Sequence, residues 1–156
     1  MIGPEVETVF IVGDRVFTVR ECRVDAPRSL VVTVTMDGGF EWSFEESGWR
    51  PLSFGAVDGA LWVWSARGLL AFPGSGIGRP DVIRVDEDLL YSFRCDAGWL
   101  LVCETSVRRH VGGSETDRFD LGEVVERARW DGGRLWLLDA AGREYRLQVA
   151  GTRLTT

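Results

Sequence analysis

The feature that most constrains this chain is a recurrence: four times, an aspartate-bearing turn runs straight into a short apolar segment. The copies are Asp14-Arg15-Val16-Phe17-Thr18-Val19, Asp58-Gly59-Ala60-Leu61-Trp62-Val63, Asp96-Ala97-Gly98-Trp99-Leu100-Leu101 and Asp131-Gly132-Gly133-Arg134-Leu135-Trp136-Leu137, with their aspartates 44, 38 and 35 residues apart. Asp and Gly supply turn geometry, and β-branched and aromatic residues suit a pleated, half-buried surface. The last copy is the fullest, because a second turn at Asp139-Ala140-Ala141-Gly142 leads into Glu144-Tyr145-Arg146-Leu147. This pattern predicts hairpins and not helices.

The segments between the copies agree. Leu30 to Thr35 is a continuous β-branched run, Asp37-Gly38-Gly39 turns it, and Phe40, Trp42 and Phe44 then alternate with Glu41, Ser43 and Glu45. That predicts a hairpin over 30–44. Val6 to Val12, Val82 to Val85, Leu89 to Arg94 and Trp99 to Cys103 read as further strands, with Val107 to Val111 continuing the last hairpin. Trp49 to Phe54 contains Pro51, which suits an edge or a strand start. Residues 73–81 and Gly112 to Thr116 read as loops, and the tail from Ala150 is expected to fray. Phe119 to Trp130 fits both helical and strand periods; Gly122 and its strand neighbours favour a strand, or a short helical turn before one.

Repeats of about 40 residues with strands throughout are what a blade array produces. The last copy, with the alternation Val125-Glu126-Arg127-Ala128-Arg129-Trp130 ahead of it, resembles a blade of bacterial β-propeller proteins. The Trp-Asp pair that closes a WD40 blade has no counterpart, since Trp130-Asp131 stands before a turn. The resemblance implies one all-β domain over 1–156, built as a small or incomplete β-propeller-like array of antiparallel hairpins. Three architectures fit: a four-bladed ring with short blades, an incomplete propeller completed by a homodimer, or a two-sheet β-sandwich or barrel.

Composition narrows the function classes. The chain has 156 residues, enough to bury a core without staples. Its net charge of -6 disfavours phosphate backbones, so nucleic acid is not an expected partner. No apolar run approaches the ~20 residues that cross a bilayer. Residues 1–8 carry Glu5 and Glu7 and no base, unlike a signal peptide, which predicts a cytoplasmic protein. All 18 basic residues are Arg, and Asn is missing too; both point to a GC-rich, bacterial genome. Cys22, Cys95 and Cys103 are an odd set and are expected to be free thiols. In a 91–103 hairpin, Cys95 and Cys103 sit beyond disulfide reach.

The chemistry of catalysis is thinly represented. His110 is the lone histidine, so no His-based metal set can form, and a cysteine nucleophile has one candidate base. Gly74-Ser75-Gly76-Ile77-Gly78 lacks the Lys-Ser/Thr ending of a phosphate loop. No metal or cofactor is implied, and no enzyme activity is expected. The acidic sites Glu45-Glu46 and Asp86-Glu87-Asp88 read as solvated charge, and Asp86-Glu87-Asp88-Leu89-Leu90 lacks the oxygen pattern of a calcium loop.

Seven tryptophans remain. Trp42, Trp99 and Trp136 read as core, Trp62 and Trp64 share one face of a strand apolar on both sides, and Trp49 is the best candidate for exposure. A compact, acidic, all-β protein without a catalytic set is expected to bind another protein. It is similar in class to immunity proteins, which neutralise toxins by plugging them. On that reading Glu45, Glu46, Asp86, Glu87 and Asp88 meet a basic toxin surface, with Trp49 as the aromatic anchor. Carbohydrate binding through exposed tryptophans, or service as a propeller-type adaptor subunit, are the alternatives.

Overall fold

The structure, a computed structural model, describes residues 2–25, 28–37, 40–47, 53–57, 59–65, 67–73, 80–96 and 98–156. Those residues form sixteen strands and no helix. Each set of four consecutive strands makes one antiparallel sheet. The first is β1 (Ile2–Val12), β2 (Arg15–Asp25), β3 (Arg28–Met36) and β4 (Phe40–Ser47); the second is β5 (Ser53–Val57), β6 (Ala60–Ser65), β7 (Gly68–Pro73) and β8 (Asp81–Arg84). The third is β9 (Leu89–Cys95), β10 (Gly98–Cys103), β11 (Ser106–Val111) and β12 (Ser114–Asp120); the fourth is β13 (Val125–Asp131), β14 (Arg134–Asp139), β15 (Glu144–Ala150) and β16 (Arg153–Thr155). Strand order within every sheet is chain order, so each sheet is a simple meander.

The four sequence copies fall at the same place in the four sheets. Each forms the turn between the first and second strand. The closing pairs are Val12↔Arg15, Val57↔Ala60, Cys95↔Gly98 and Asp131↔Arg134, so every one of these turns has two residues. Two-residue hairpin turns need positive φ. Gly13, Gly59 and Gly132 supply it in the first, second and fourth copies, and Asp96 adopts φ 46 in the third. In that third copy Gly98 meets a different demand. A Cβ there would stand 2.0 Å from the His110 carbonyl oxygen, so the backbones of β10 and β11 approach too closely for any side chain.

Two compact units divide the chain, Met1–Val82 and Ile83–Thr156, with β8 running across the boundary. In the first unit Val12, Phe17, Val19, Val32 and Val34 share a core with Leu61, Val63, Leu70 and Phe72. Trp42 packs against it half-buried, and Trp62 is buried opposite Leu61 and Val63, as expected for an interior strand. In the second unit Leu100, Val102 and Val107 pack with Leu135, Leu137 and Leu147, and Tyr91, Phe93 and Trp130 stack along one side.

Several boundaries differ from the sequence reading. The polar stretch expected to loop from Gly112 to Thr116 is a two-residue turn at Gly112-Gly113 followed directly by β12. β12 is an edge strand with little to bury, so its Ser-Glu-Thr-Asp-Arg-Phe-Asp sequence shows no apolar alternation. The tail does not fray. β16 pairs with β15, and the chain end is tied to β12 by Leu154 N donating to Asp117 Oδ2 (2.7 Å) and Thr116 Oγ1 donating to the Thr152 carbonyl (2.8 Å). Phe119 to Trp130 resolves into the end of β12, a bend over 122–123, and β13. All three cysteines are free.

Candidate binding face

The second unit presents two groups of arginines in opposite states. The first surrounds β11, whose residues are buried on both faces. Arg108 is 4% exposed and donates from Nη2 to both Asp86 and Glu87, and from Nε to Ser106 Oγ (3.1 Å). Glu87 also accepts from Ser106 Oγ, from Thr105 Oγ1 (2.7 Å) and from Thr105 N (2.8 Å), with Arg118 Nη2 at 3.5 Å. Burial alone pushes the Glu87 carboxyl up; the donors from Ser106, Thr105 and Arg108 outweigh it and hold the group at about 2. Burial works against the Arg108 charge too, and its two carboxylates more than restore it.

Arg109 points to the opposite face of β11 and is 2% exposed. It donates from Nε to the Gly151 carbonyl (3.0 Å), and from Nη1 to the Trp99 carbonyl (3.3 Å) and to the Cys95 sulfur (3.1 Å). A planar five-donor head can satisfy several strand-end acceptors at once, which an ammonium of fixed reach does less well. Arg109 therefore ties β10 and β11 to the β15–β16 turn.

Cys103 and His110 are both buried. Burial pushes the Cys103 thiol up to about 11. Burial lowers the His110 pKa, and Arg108 adds to that while Glu115, 3.9 Å away, opposes it. Neither ring nitrogen of His110 makes a hydrogen bond among the described residues, and the side chain is buried. Among the described residues, no three His, Cys, Asp or Glu groups stand close enough to hold a metal.

The sequence-predicted docking acids separate by role. Asp86 and Glu87 both engage Arg108, but the Asp86 side chain stays 78% exposed whereas that of Glu87 is 16% exposed. The Asp88 backbone carbonyl accepts from Glu104 N. Glu45 is exposed on β4 opposite Val31, in the other unit. The side chain of Glu46 and all of Trp49 lie outside the described residues, as does the glycine-rich run 74–78.

The second arginine group lies on the outer face of β13–β15, and sequence reasoning missed it. Strand alternation sends Leu135, Leu137 and Leu147 inward and Arg134, Trp136, Leu138, Arg146 and Gln148 outward. Trp136, expected in the core, is instead half-buried on this outer face. Register fixes its neighbours: Arg129 on β13 and Arg146 on β15 stand directly opposite it, and the next row is Asp131, Arg134 and Gln148. The Arg129 guanidinium lies 5.7 Å from the Trp136 ring centroid, in cation–π range. These side chains line an open cleft of about 530 Å³. A second concavity of about 490 Å³ shares Arg134 and Gln148 and extends to Asp96 and Trp130.

Arg127, Arg129, Arg134 and Arg146 are all exposed, and among the described residues none makes a hydrogen bond or an ion pair. Asp131 and Glu144 are the acids among them. A chain of net charge -6 thus carries one face where unpaired cations outnumber acids around an accessible indole. The signal was present as the alternation Arg127, Arg129 and Arg134, Trp136; only the inward or outward sense of Trp136 was missing. Comparison with known proteins gives no matching family and no matching curated relative.

Proposed function

We propose that this chain is a non-catalytic protein-binding domain that engages its partner through the outer face of β13–β15. The observation that carries the reading is Trp136 set between Arg129 and Arg146 in an open cleft. Trp and Arg are the residues that most often dominate interface energetics, and among the described residues neither arginine makes a hydrogen bond or an ion pair. The polar groups around Arg108 are paired with one another, which supports a scaffold role for that cluster. The test is a partner obtained by reciprocal affinity purification and titrated as a purified protein. Saturable binding weakened at least tenfold by Trp136→Ala is the expected result; unchanged affinity overturns the assignment.

A second reading is toxin neutralisation through a different surface, with exposed acids such as Glu45 and Asp86 docking on a basic toxin. The acidic net charge supports it. Glu45→Gln with Asp86→Asn should then weaken toxin capture, and full protection by that variant removes this reading. The propeller-like architecture belongs to the same proposal. Four consecutive four-stranded meanders, each with a two-residue first turn, support a blade array. Solution mass by light scattering distinguishes a monomeric four-bladed ring from a dimer of half-rings.

A further inference from the structure

We infer that the Arg129–Trp136–Arg146 face recognises a carboxylate-rich, extended segment of a protein partner, with an apolar side chain seated on Trp136. The inference rests on the binding role proposed above and specifies its chemistry. Strands lie about 4.8 Å apart, so the backbones of Arg129 and Arg146 stand roughly 10 Å apart with Trp136 midway. Arg134 occupies the next row, about 6.6 Å along the strands. That triangle of exposed guanidinium forks around an indole matches acidic side chains projecting on either side of one apolar residue.

Shape and charge choose among ligand classes. Small-molecule pockets enclose most of their ligand, whereas this cleft is only half-enclosed and is lined mainly by residues of three strands. Nucleic acid is disfavoured by the surrounding field, since the chain carries 24 acids against 18 bases. A short acidic segment reaches the local cations without bringing a long polyanion over the rest of the surface. Arg129 already lies over Trp136 in the free protein, so part of the site is arranged before the ligand arrives.

Fluorescence anisotropy with a dye-labelled nonapeptide, glutamates flanking a central phenylalanine, tests this on the full chain. Its glutamine counterpart and an oligo-dT of equal charge are the controls. The glutamate peptide should bind, the glutamine peptide at least tenfold more weakly, and raised salt should weaken the former alone. Arg129→Gln with Arg146→Gln should reduce affinity about tenfold with unchanged thermal unfolding, and Trp136→Ala should separately reduce it about tenfold with only a small fall in unfolding temperature. Equal binding of the two peptides, wild-type affinity in the double variant, or tighter binding of oligo-dT overturns the inference. A purified partner that Trp136→Ala loses but the glutamate peptide does not displace overturns the carboxylate chemistry and leaves the binding role standing. Partner binding indifferent to Trp136 removes both.

Discussion

Arg108 and Arg146 are the same residue on neighbouring sheets of one unit, and they have opposite surroundings. Arg108 is buried, forked onto Asp86 and Glu87, and enclosed by hydroxyls that complete the carboxylates' hydrogen bonding. Arg146 is exposed beside an indole and, among the described residues, makes no hydrogen bond or ion pair. The contrast shows how to separate structural from interacting charge in a chain this rich in Arg. A buried cation whose donors are satisfied contributes to the fold and has little left to offer a partner. An exposed cation with free donors contributes little to the fold and keeps its full hydrogen-bonding capacity.

The largest test of that contrast is Glu87→Ala. It strips Arg108 of its buried partner and should cost about 3 kcal/mol in urea unfolding. If neutralising Arg129, Arg134 and Arg146 together costs as much, the two groups are not different in kind. Next comes a neighbouring pair on β14. Leu137→Ala removes a fully buried side chain and should cost about 3 kcal/mol, whereas Trp136→Ala should cost about 1 kcal/mol. A reversal would place the indole in the core after all.

Acid sharpens the comparison further. The Glu87 carboxyl is depressed from 4.5 to about 2 in the folded chain, so its contribution is complete above pH 4.5 and is lost as the pH falls toward 2. Unfolding midpoints measured across that window should drop in the wild type and drop less in Glu87→Gln. Parallel curves would mean that Glu87 is not the titrating group. The smallest effect is expected from Arg134→Gln, within about 0.5 kcal/mol of wild type by thermal unfolding. A larger loss would reveal an internal role for the exposed set.

Much of the fold was legible because it is local. The turn at Asp131 to Gly133 and the alternation of β14 are adjacent in sequence, and hairpin pairing needs no distant information. β12 and β16 were not legible for the converse reason. Ser114 to Asp120 has no apolar stripe, and Arg153 to Thr155 is held by Asp117 and Thr116 from far along the chain. The same limit applies to charge. Nothing near Glu87 in sequence announces that Thr105, Ser106 and Arg108 will converge on it, so it read as solvated. Trp136 was misplaced because apolar residues flank it on both sides, and alternation alone cannot say which set faces inward.

The unbroken chain order of the strands bears on how quickly the protein reaches its native state. Every strand's hydrogen-bonded neighbour in a sheet is also its neighbour in sequence. All-β proteins usually fold slowly because their pairings close long loops. Here the loops closed by pairing are short, most of them of two residues, so each sheet can zip outward from its first hairpin as soon as its own four strands are available. Stopped-flow refolding should accordingly be fast for an all-β chain of this length, and Gly98→Ala, which blocks the close approach of β10 and β11, should slow the third sheet most.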